Sequence, residues 1–588
     1  MRQCSLTVIR SIPHHAAGSP GHSRNVLQPA RYFRFTPRTL PFSTKWRSNG
    51  QVIIAIHPSH PHRNGTTGMQ THPTRVTDIF CAGRWIFLLC CLLTATPAAA
   101  APGGFSLDFT TIRLGDEAQG SITTSGEAAT VVQPVHTSDA SPTADAMQTA
   151  TASTPVSPVV LVVGGIQGDE PGGFSAATLL TTHYTIQKGV LWVVPNLNFP
   201  SIIKRSRGLH GDMNRKFAKL DNSDPEFGTV RRIQELISHP RVNLVLNLHD
   251  GSGYYRQSYE DKLRNPNRWG QSVIIDQESL SGAFMGSLGD EARQAAESAN
   301  SRLLSPQHTL HVHNTKTAEG DHEMDRSLSY FAVRQGKAAF GLEASKEFSV
   351  EVRAYYHLLM VESFLTQAGV IFTRNFEMNP DGIRTALLDN LGVSFADNKI
   401  FLPLEDVRPA INLLPLSKDA PAQAVTSKPI MAVLPCAKGE EGQYCVHYGN
   451  RMITLIRPDW REMDHSITGM RVLADGHEVQ AEFGQVVEVS KSLVVQPAHG
   501  YRVNAIGYDS GRKDESGETM TLKDFQARFS VDRQGRLYRV EVYKDQRFSG
   551  MFLVRFVSGA SRMTRNDPLP KSQDRLPDRP GQESTLGF

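Results

Sequence analysis

Over the middle of the chain, short unbroken apolar runs alternate with longer stretches in which apolar residues recur at helical spacing. The runs at 159–163, 190–194, 242–248 and 338–342 are rich in Val and Leu and too short for helices, so they read as strands buried on both faces. Segments 173–182, 225–238, 280–304 and 349–367 between and after them carry the helical pattern. Strands alternating with helices predict an α/β fold, a mainly parallel mixed sheet with helices on both faces. Residues 105–112 alternate like an added edge strand. The helical pattern fades after residue 371. From 375 to 462, runs such as 400–404 and 430–434 predict a small mixed α+β domain. From 463 to 558, strands at regular spacing (485–489, 492–495, 538–543, 551–556) predict a β-sandwich.

Composition changes this picture mainly at the ends. The first hundred residues hold 11 Lys or Arg against the single acid Asp78, and lead into the apolar core Trp85 to Leu93 and the small residues Thr94 to Ala101. That order reads as a secretory signal peptide over 69–101. Such leaders start about 15–30 residues ahead of their cleavage site, which makes Met69 the better start and 1–68 a non-native upstream extension. The apolar core is well short of the roughly 20 residues a membrane span needs. Without 1–101 the formal net charge moves from +4 to near −6, so the basic excess belongs to the leader and no nucleic-acid role follows. An exported, periplasmic protein with no membrane span after cleavage is the expectation. Within 102–158, the Ala, Thr, Ser and Pro of 118–158 form a low-complexity linker, and 559–588 reads as a disordered tail. Four of the six cysteines fall in the leader. The other two, Cys436 and Cys445, flank a turn-rich loop that a disulfide could close in an oxidising compartment.

The candidate chemistry lies in the catalytic-domain stretch, 159–374. The loop Gly164-Gly165-Ile166-Gln167-Gly168-Asp169-Glu170-Pro171-Gly172-Gly173 follows the first strand, and His249 ends the third. Parallel strands deliver such loop residues to one crevice at the carboxyl edge of the sheet. Gln167, Glu170 and His249 then make a three-donor set with an open fourth position, the arrangement of a catalytic zinc. Taken alone, the Gln-x-x-Glu loop reads equally as a helix start, in which Asp169 and Glu170 complement the dipole ahead of Pro171. Glu343, ending another strand, is the natural general base, although a pairing with Lys346 would also account for it. The run from Lys204 to Phe217 crowds Arg205, Arg207 and Arg215 near Asn214, suited either to a substrate carboxylate and oxyanion or to a solvated basic loop.

These pieces, in this order, resemble the zinc carboxypeptidases of the carboxypeptidase A superfamily. The loop quoted above, together with Gly211-Asp212-Met213-Asn214-Arg215-Lys216-Phe217, is most similar to the cell-shape-determining murein D,L-carboxypeptidases, in which Gln stands in place of the first His of the ligand motif. The resemblance implies the zinc carboxypeptidase fold and one Zn2+ per chain held by Gln167, Glu170 and His249. It also implies Glu343 as catalytic base, Arg207 at the oxyanion with Arg205 as its rival, and Asn214 and Arg215 on the substrate carboxylate. Trp269 and Lys346 fall where that subgroup contacts substrate. The implied substrate is the peptidoglycan tripeptide stem, losing its C-terminal meso-diaminopimelate, with cell-shape proteins as further partners. Rival readings are a zinc amidohydrolase of the succinylglutamate desuccinylase and aspartoacylase type, and a non-catalytic peptidoglycan-binding protein. An amide oxygen is a harder and weaker donor to zinc than an imidazole. Gln167→His should therefore bind zinc at least as tightly as the native chain; clearly weaker retention in a metal titration would contradict this.

Overall fold

The computed structural model describes residues 107–115, 158–320, 322–437 and 441–557. The expected upstream extension, signal peptide and tail, and nearly all of the linker, lie outside the described residues. In chain order the strands of the first region are β1 Ile112–Gly115, β2 Val159–Val163, β3 Tyr184–Lys188, β4 Val190–Val194, β5 Val242–Gly251, β6 Tyr254–Tyr255, β7 Arg264–Asn265, β8 Ser272–Ile275, β9 His311–Asn314 and β10 Ala338–Ser345. The helices are α1 Pro171–His183, α2 Phe199–Lys204, α3 Phe227–Ser238, α4 Leu288–Asn300, α5 Leu328–Arg334 and α6 Val350–Gln367.

Seven strands form one sheet in the order β1-β4-β2-β5-β10-β8-β9. Its centre, β4-β2-β5-β10, is parallel. β1 joins β4 and β8 joins β10 in the antiparallel sense, and β9 runs parallel to β8. Side-chain alternation sends Val160, Val162, Leu244 and Leu246 into a core with α1, α4 and α6, and Val159, Leu161, Val163 and Val245 into a second core with α3 and α5. The mixed sheet with helices on both faces is thus as the sequence suggests. From β2 the chain moves through α1 to β4 on one side, then crosses to β5 on the other. This reversal leaves a crevice at the carboxyl ends of β2 and β5, where open α/β sheets bind their ligands.

Several boundaries differ from expectation for physical reasons. Of the edge strand expected over 105–112, residues 105–106 lie outside the described residues, and 107–111 are not strand because Thr110 is pinned by its backbone N–H and hydroxyl to Asn196 Oδ1 at 3.0 and 3.1 Å; the strand is Ile112–Gly115. The helix expected over 280–304 is only Leu288–Asn300; ahead of it lies a turn with Gly282 at φ +75°. β5 and β10 run past 248 and 342, so His249 and Glu343 sit within paired strand rather than beyond it. β3 was not anticipated; it pairs with β11 Ile371–Arg374.

The packing around α6 continues past residue 374 through α7 Pro380–Leu388, whose Ile383, Ala386 and Leu387 join the same core. Beyond α7, the sheet of Gly392–Phe395, Ile400–Pro403 and Val425–Thr426 and that of Ala410–Leu416, Met431–Pro435, Tyr444–Tyr448 and Arg451–Trp460 enclose another core. It also takes in Phe174, Phe199, Ile202 and Ile203 from the first region and Val531 and Leu553 from the last. In the last region a four-stranded and a three-stranded sheet share a core that includes Val472, Leu493, Val503, Val540 and Phe552. A disulfide joins Cys436 to Cys445 across the end of a hairpin. No helix among the described residues is long and apolar enough to cross a membrane.

Phe340 of β10 and Phe364 of α6, both fully buried with ring centroids 4.4 Å apart, carry much of the sheet-to-helix contact. Phe340→Ala should destabilise this region by about 3–5 kcal/mol, read as a lowered denaturant midpoint with the downstream sheets less affected.

Candidate active site

The ligand loop leaves β2 and turns sharply against α2. A Cβ on Gly168 would stand 2.1 Å from the Ser201 carbonyl carbon, so only glycine allows this approach. The loop ends at Glu170, the N-cap of α1, followed by Pro171 at the first helical position. Glu170 makes no side-chain capping bond. Its Oε2 instead accepts the Asp250 backbone N–H at 3.1 Å and lies 3.0 Å from His249 Nδ1. Gln167 Oε1 lies 3.2 Å from the same nitrogen. The helix-start reading is therefore right about the backbone, but the carboxylate is spent on the crevice.

Gln167, Glu170 and His249 are only 2%, 4% and 6% exposed. Separations of 3.0 and 3.2 Å are close to the edge, roughly 3.3 Å, of a tetrahedron with metal–ligand bonds of about 2.0 Å. Among the described residues no group of three or more His, Cys, Asp and Glu side chains is placed to hold a metal. That does not count against the site, because its third donor is an amide oxygen, outside those four residue types. One amide, one carboxylate and one imidazole form a donor set compatible with a divalent cation.

Asp212, to which the sequence reading assigned no role, orients the amide. Gln167 Nε2 donates to Asp212 Oδ1 at 2.7 Å, which leaves Oε1 turned toward His249. Arg207 pairs with the other oxygen of Asp212 at 2.9 Å. Burial works against ionisation of Asp212, but the bonds from Gln167 and Arg207 outweigh it and hold the carboxyl below its ordinary range. The signal available in the sequence was an acid in an otherwise basic loop. Asp250 was also missed. Fully buried behind His249, it accepts the Gly172 N–H and pairs with Arg353 and His357, tying β5 to the start of α1 and to α6.

Glu343 stands in register with His249 on the neighbouring strand. Its Oε2 has no hydrogen-bond partner and packs so close to Gly251 that a Cβ there would fall 2.7 Å away. Burial pushes the Glu343 carboxyl up to about 8, against the pull of His249 and with the support of Glu170 and Asp250. It is not paired with Lys346. That ammonium lies 3.3 Å from Glu170 Oε1 and 3.4 Å from Asp169, and these carboxylates outweigh burial and raise its pKa.

Of the remaining predicted residues, Arg207 reaches Glu170 Oε1 at 3.4 Å, whereas Arg205 terminates α2 in a left-handed conformation and is exposed. Asn214 Nδ2 is 3.5 Å from His249 Nε2. Arg215 follows it and pairs with Glu323 at 3.0 Å. Trp269 sits where its backbone meets Gly251, its ring 4.9 Å from that of His313. The structure therefore gathers Gln167, Glu170, His249, Glu343, Arg207, Lys346 and Asn214 at one rim, with Arg215 and Trp269 beside it.

Comparison with known proteins matches residues 136–388 to a family described as the catalytic part of carboxypeptidases controlling helical cell shape, and residues 463–557 to a C-terminal domain of metallo-carboxypeptidases. The cell shape determinant Csd4 of Helicobacter pylori, described as a D,L-carboxypeptidase, matches in its mDAP-bound form with 41% identity and a TM-score of 0.63, over 68% of this chain and 97% of that one. The chain belongs to this metallo-carboxypeptidase family. Csd4 in its tripeptide-bound form matches with the same identity and a TM-score of 0.62, over 68% of this chain and 96% of that one. A succinylglutamate desuccinylase/aspartoacylase of Rhodobacter sphaeroides matches at 17% identity and a TM-score of 0.26, over 37% of this chain and 57% of that one, a likeness too slight to bear on function. No curated protein matches. Membership in the family implies a bound metal, and the donor set at the β2–β5 crevice fits one.

The displaced titration of Glu343 has a thermodynamic consequence. Between its ordinary value of 4.5 and about 8, the folded protein holds a proton that the unfolded chain has lost. Stability of the metal-free protein should then fall as pH rises across that window and level off above it. Glu343→Gln should flatten this slope and be the more stable form at pH 8; equal slopes in denaturant titrations from pH 5 to 8 would contradict the assignment.

Proposed function

We propose that the protein is a zinc-dependent D,L-carboxypeptidase that removes the C-terminal meso-diaminopimelate from peptidoglycan tripeptide stems, leaving dipeptides and thereby affecting cell shape. The observation that carries the reading is the convergence of Gln167 Oε1 and Glu170 Oε2 on His249 Nδ1 beside the buried, unpartnered carboxylate of Glu343. Family membership and the mDAP- and tripeptide-bound forms of Csd4 support the same substrate class.

Gln167, Glu170 and His249 would hold the zinc ion, which when bound supplies Lewis acidity that acidifies water and polarises a carbonyl. Glu343 takes a proton from the attacking water at Oε2, the oxygen left without a partner, and returns it to the leaving amine. An ionised carboxylate with one oxygen free of other partners can both accept that proton and give it back. Arg207, reaching into the site from its pairing with Asp212, offers N–H donors to the oxyanion developing on the attacked carbonyl. Asn214 and Arg215 hold the substrate's terminal carboxylate. Glu323 is largely exposed at 69% while Arg215 is mostly covered at 22%, so the pair is screened from the Glu323 side and a substrate carboxylate can compete with it. Trp269 and Lys346 line the remaining wall.

The sequence features that favour export support a periplasmic site for this activity. The sheets downstream of α7 would seat the enzyme on murein or on a cell-shape partner, a role for 375–462 and 463–558 consistent with their lacking any of the site residues.

Incubation with defined murein tripeptides should give dipeptide and free diaminopimelate by mass spectrometry, and a chelator should suppress the reaction until zinc is restored. Glu343→Ala should lose turnover while retaining metal. Cleavage that persists at the native rate in Glu343→Ala would remove Glu343 from the mechanism, and absence of dipeptide from the zinc-loaded native protein would refute the substrate assignment.

A further inference from the structure

Asn247 interrupts the apolar run of β5 two residues before His249, so the two side chains leave the same face of the sheet. It is fully buried, its Nδ2 lies 2.8 Å from His249 Nε2, and its Oδ1 has no partner. The other neighbour of that ring nitrogen is Asn214 Nδ2 at 3.5 Å, and that amide cannot turn because its Oδ1 accepts the Leu328 backbone N–H at 2.9 Å. On the opposite edge of the ring, Nδ1 faces only oxygens, those of Gln167 and Glu170.

An imidazole that gives its Nδ1 lone pair to a cation carries its proton on Nε2, and that N–H requires an acceptor. Two amide NH2 groups cannot supply one. A half-turn of the Asn247 amide, which exchanges Oδ1 and Nδ2 within the same volume, does so and gives Oδ1 the donor it lacks. We propose that Asn247 is a positioning residue that accepts the Nε2 proton of His249, fixing the tautomer and ring orientation that present Nδ1 to the metal. This rests on the zinc reading of the crevice given above. Metal-bound histidines commonly donate their second N–H to a carboxylate or carbonyl, which raises ligand basicity. A neutral amide pushes less electron density into the ring than a carboxylate. Paired with the weak amide donor Gln167, it leaves the metal the more electrophilic.

The test is zinc affinity by competition with a chromophoric chelator for the native protein, Asn247→Leu and Asn247→Asp, together with the exchangeable imidazole proton of His249 seen as a paramagnetically shifted resonance in the cobalt-substituted native and Asp proteins. Asn247→Leu, similar in size but unable to accept, should weaken zinc on the order of 10–100-fold. Asn247→Asp should bind zinc as tightly as the native protein or more tightly, and should move the resonance, because a carboxylate is a stronger acceptor. A role in packing alone predicts the opposite order, since a buried charge perturbs a core more than leucine does. Equal zinc affinity in all three proteins, or an unmoved resonance in Asn247→Asp, overturns the proposal while leaving the metal site standing. A native protein that binds no zinc overturns the metal reading and this inference together. If Asn247→Leu fails to fold, the affinity and resonance of Asn247→Asp decide.

Discussion

Withdrawing ionisable groups from water at the end of a sheet is the constraint that organises this molecule. Glu170, His249, Asp250 and Glu343 are each at least nine-tenths buried at the carboxyl ends of β5 and β10 and the start of α1. Isolated charges in such a place cost several kcal/mol each, so each needs a partner of opposite sign, hydrogen bonds, or a displaced pKa. Asp250 takes the first course with Arg353 and His357, and Glu170 combines the first two, facing Lys346 and Arg207 while accepting the Asp250 N–H. Glu343 takes the third. Burial thus displaces the titration of Glu343 upward, whereas the partners of Asp250 hold its carboxyl below the ordinary range.

An amide in the proposed donor set adds a constraint of its own. An imidazole offers a nitrogen whichever way it is held, but an amide presents oxygen or nitrogen depending on a half-turn, and only oxygen can bind a cation. The bond from Gln167 Nε2 to Asp212 removes that ambiguity, and Arg207 keeps Asp212 ionised so that it can only accept. The guanidinium proposed to serve the oxyanion therefore also steadies the acid that orients the Gln167 amide. In the proposed mechanism one residue would couple substrate chemistry to donor geometry, a coupling that linear spacing does not reveal.

The sheet was legible because buried parallel strands leave apolar runs that no exposed element would carry: 159–163 and 190–194 appear as strands with the same ends. The ligand loop was legible because Gly-rich turns between such a strand and a proline-initiated helix have few alternatives. Long-range pairing was not. β8 and β9 are four residues each, the latter with polar His311, His313 and Asn314; β8 takes its edge from β10, and β9 takes its edge from β8. Asp212 and Asn247 were hidden for another reason. Each acts on a ligand far from it in sequence or across one turn of a ring, and its role depends on which atom points where. Asn247 did leave a trace, as an amide inside a strand with no water to bond it.

The downstream sheets bear on the site through α2. The ligand loop rests at Gly168 on the Ser201 backbone of that helix, close enough to exclude a Cβ. Phe199, Ile202 and Ile203 of the same helix, with Phe174 from the first turn of α1, are buried in the core whose other members come from Val393, Phe395, Ile400 and Leu402. The surface supporting the metal-facing loop is thus completed by residues well over a hundred positions later. A helix of six residues has little stability of its own, since nucleating one turn is unfavourable and few bonds follow to offset it. α2 therefore holds its shape because the later sheets pack on it. The rigidity of Gln167 is borrowed in part from outside the catalytic sheet, and the β-rich half acts as a buttress for the site whatever else it binds.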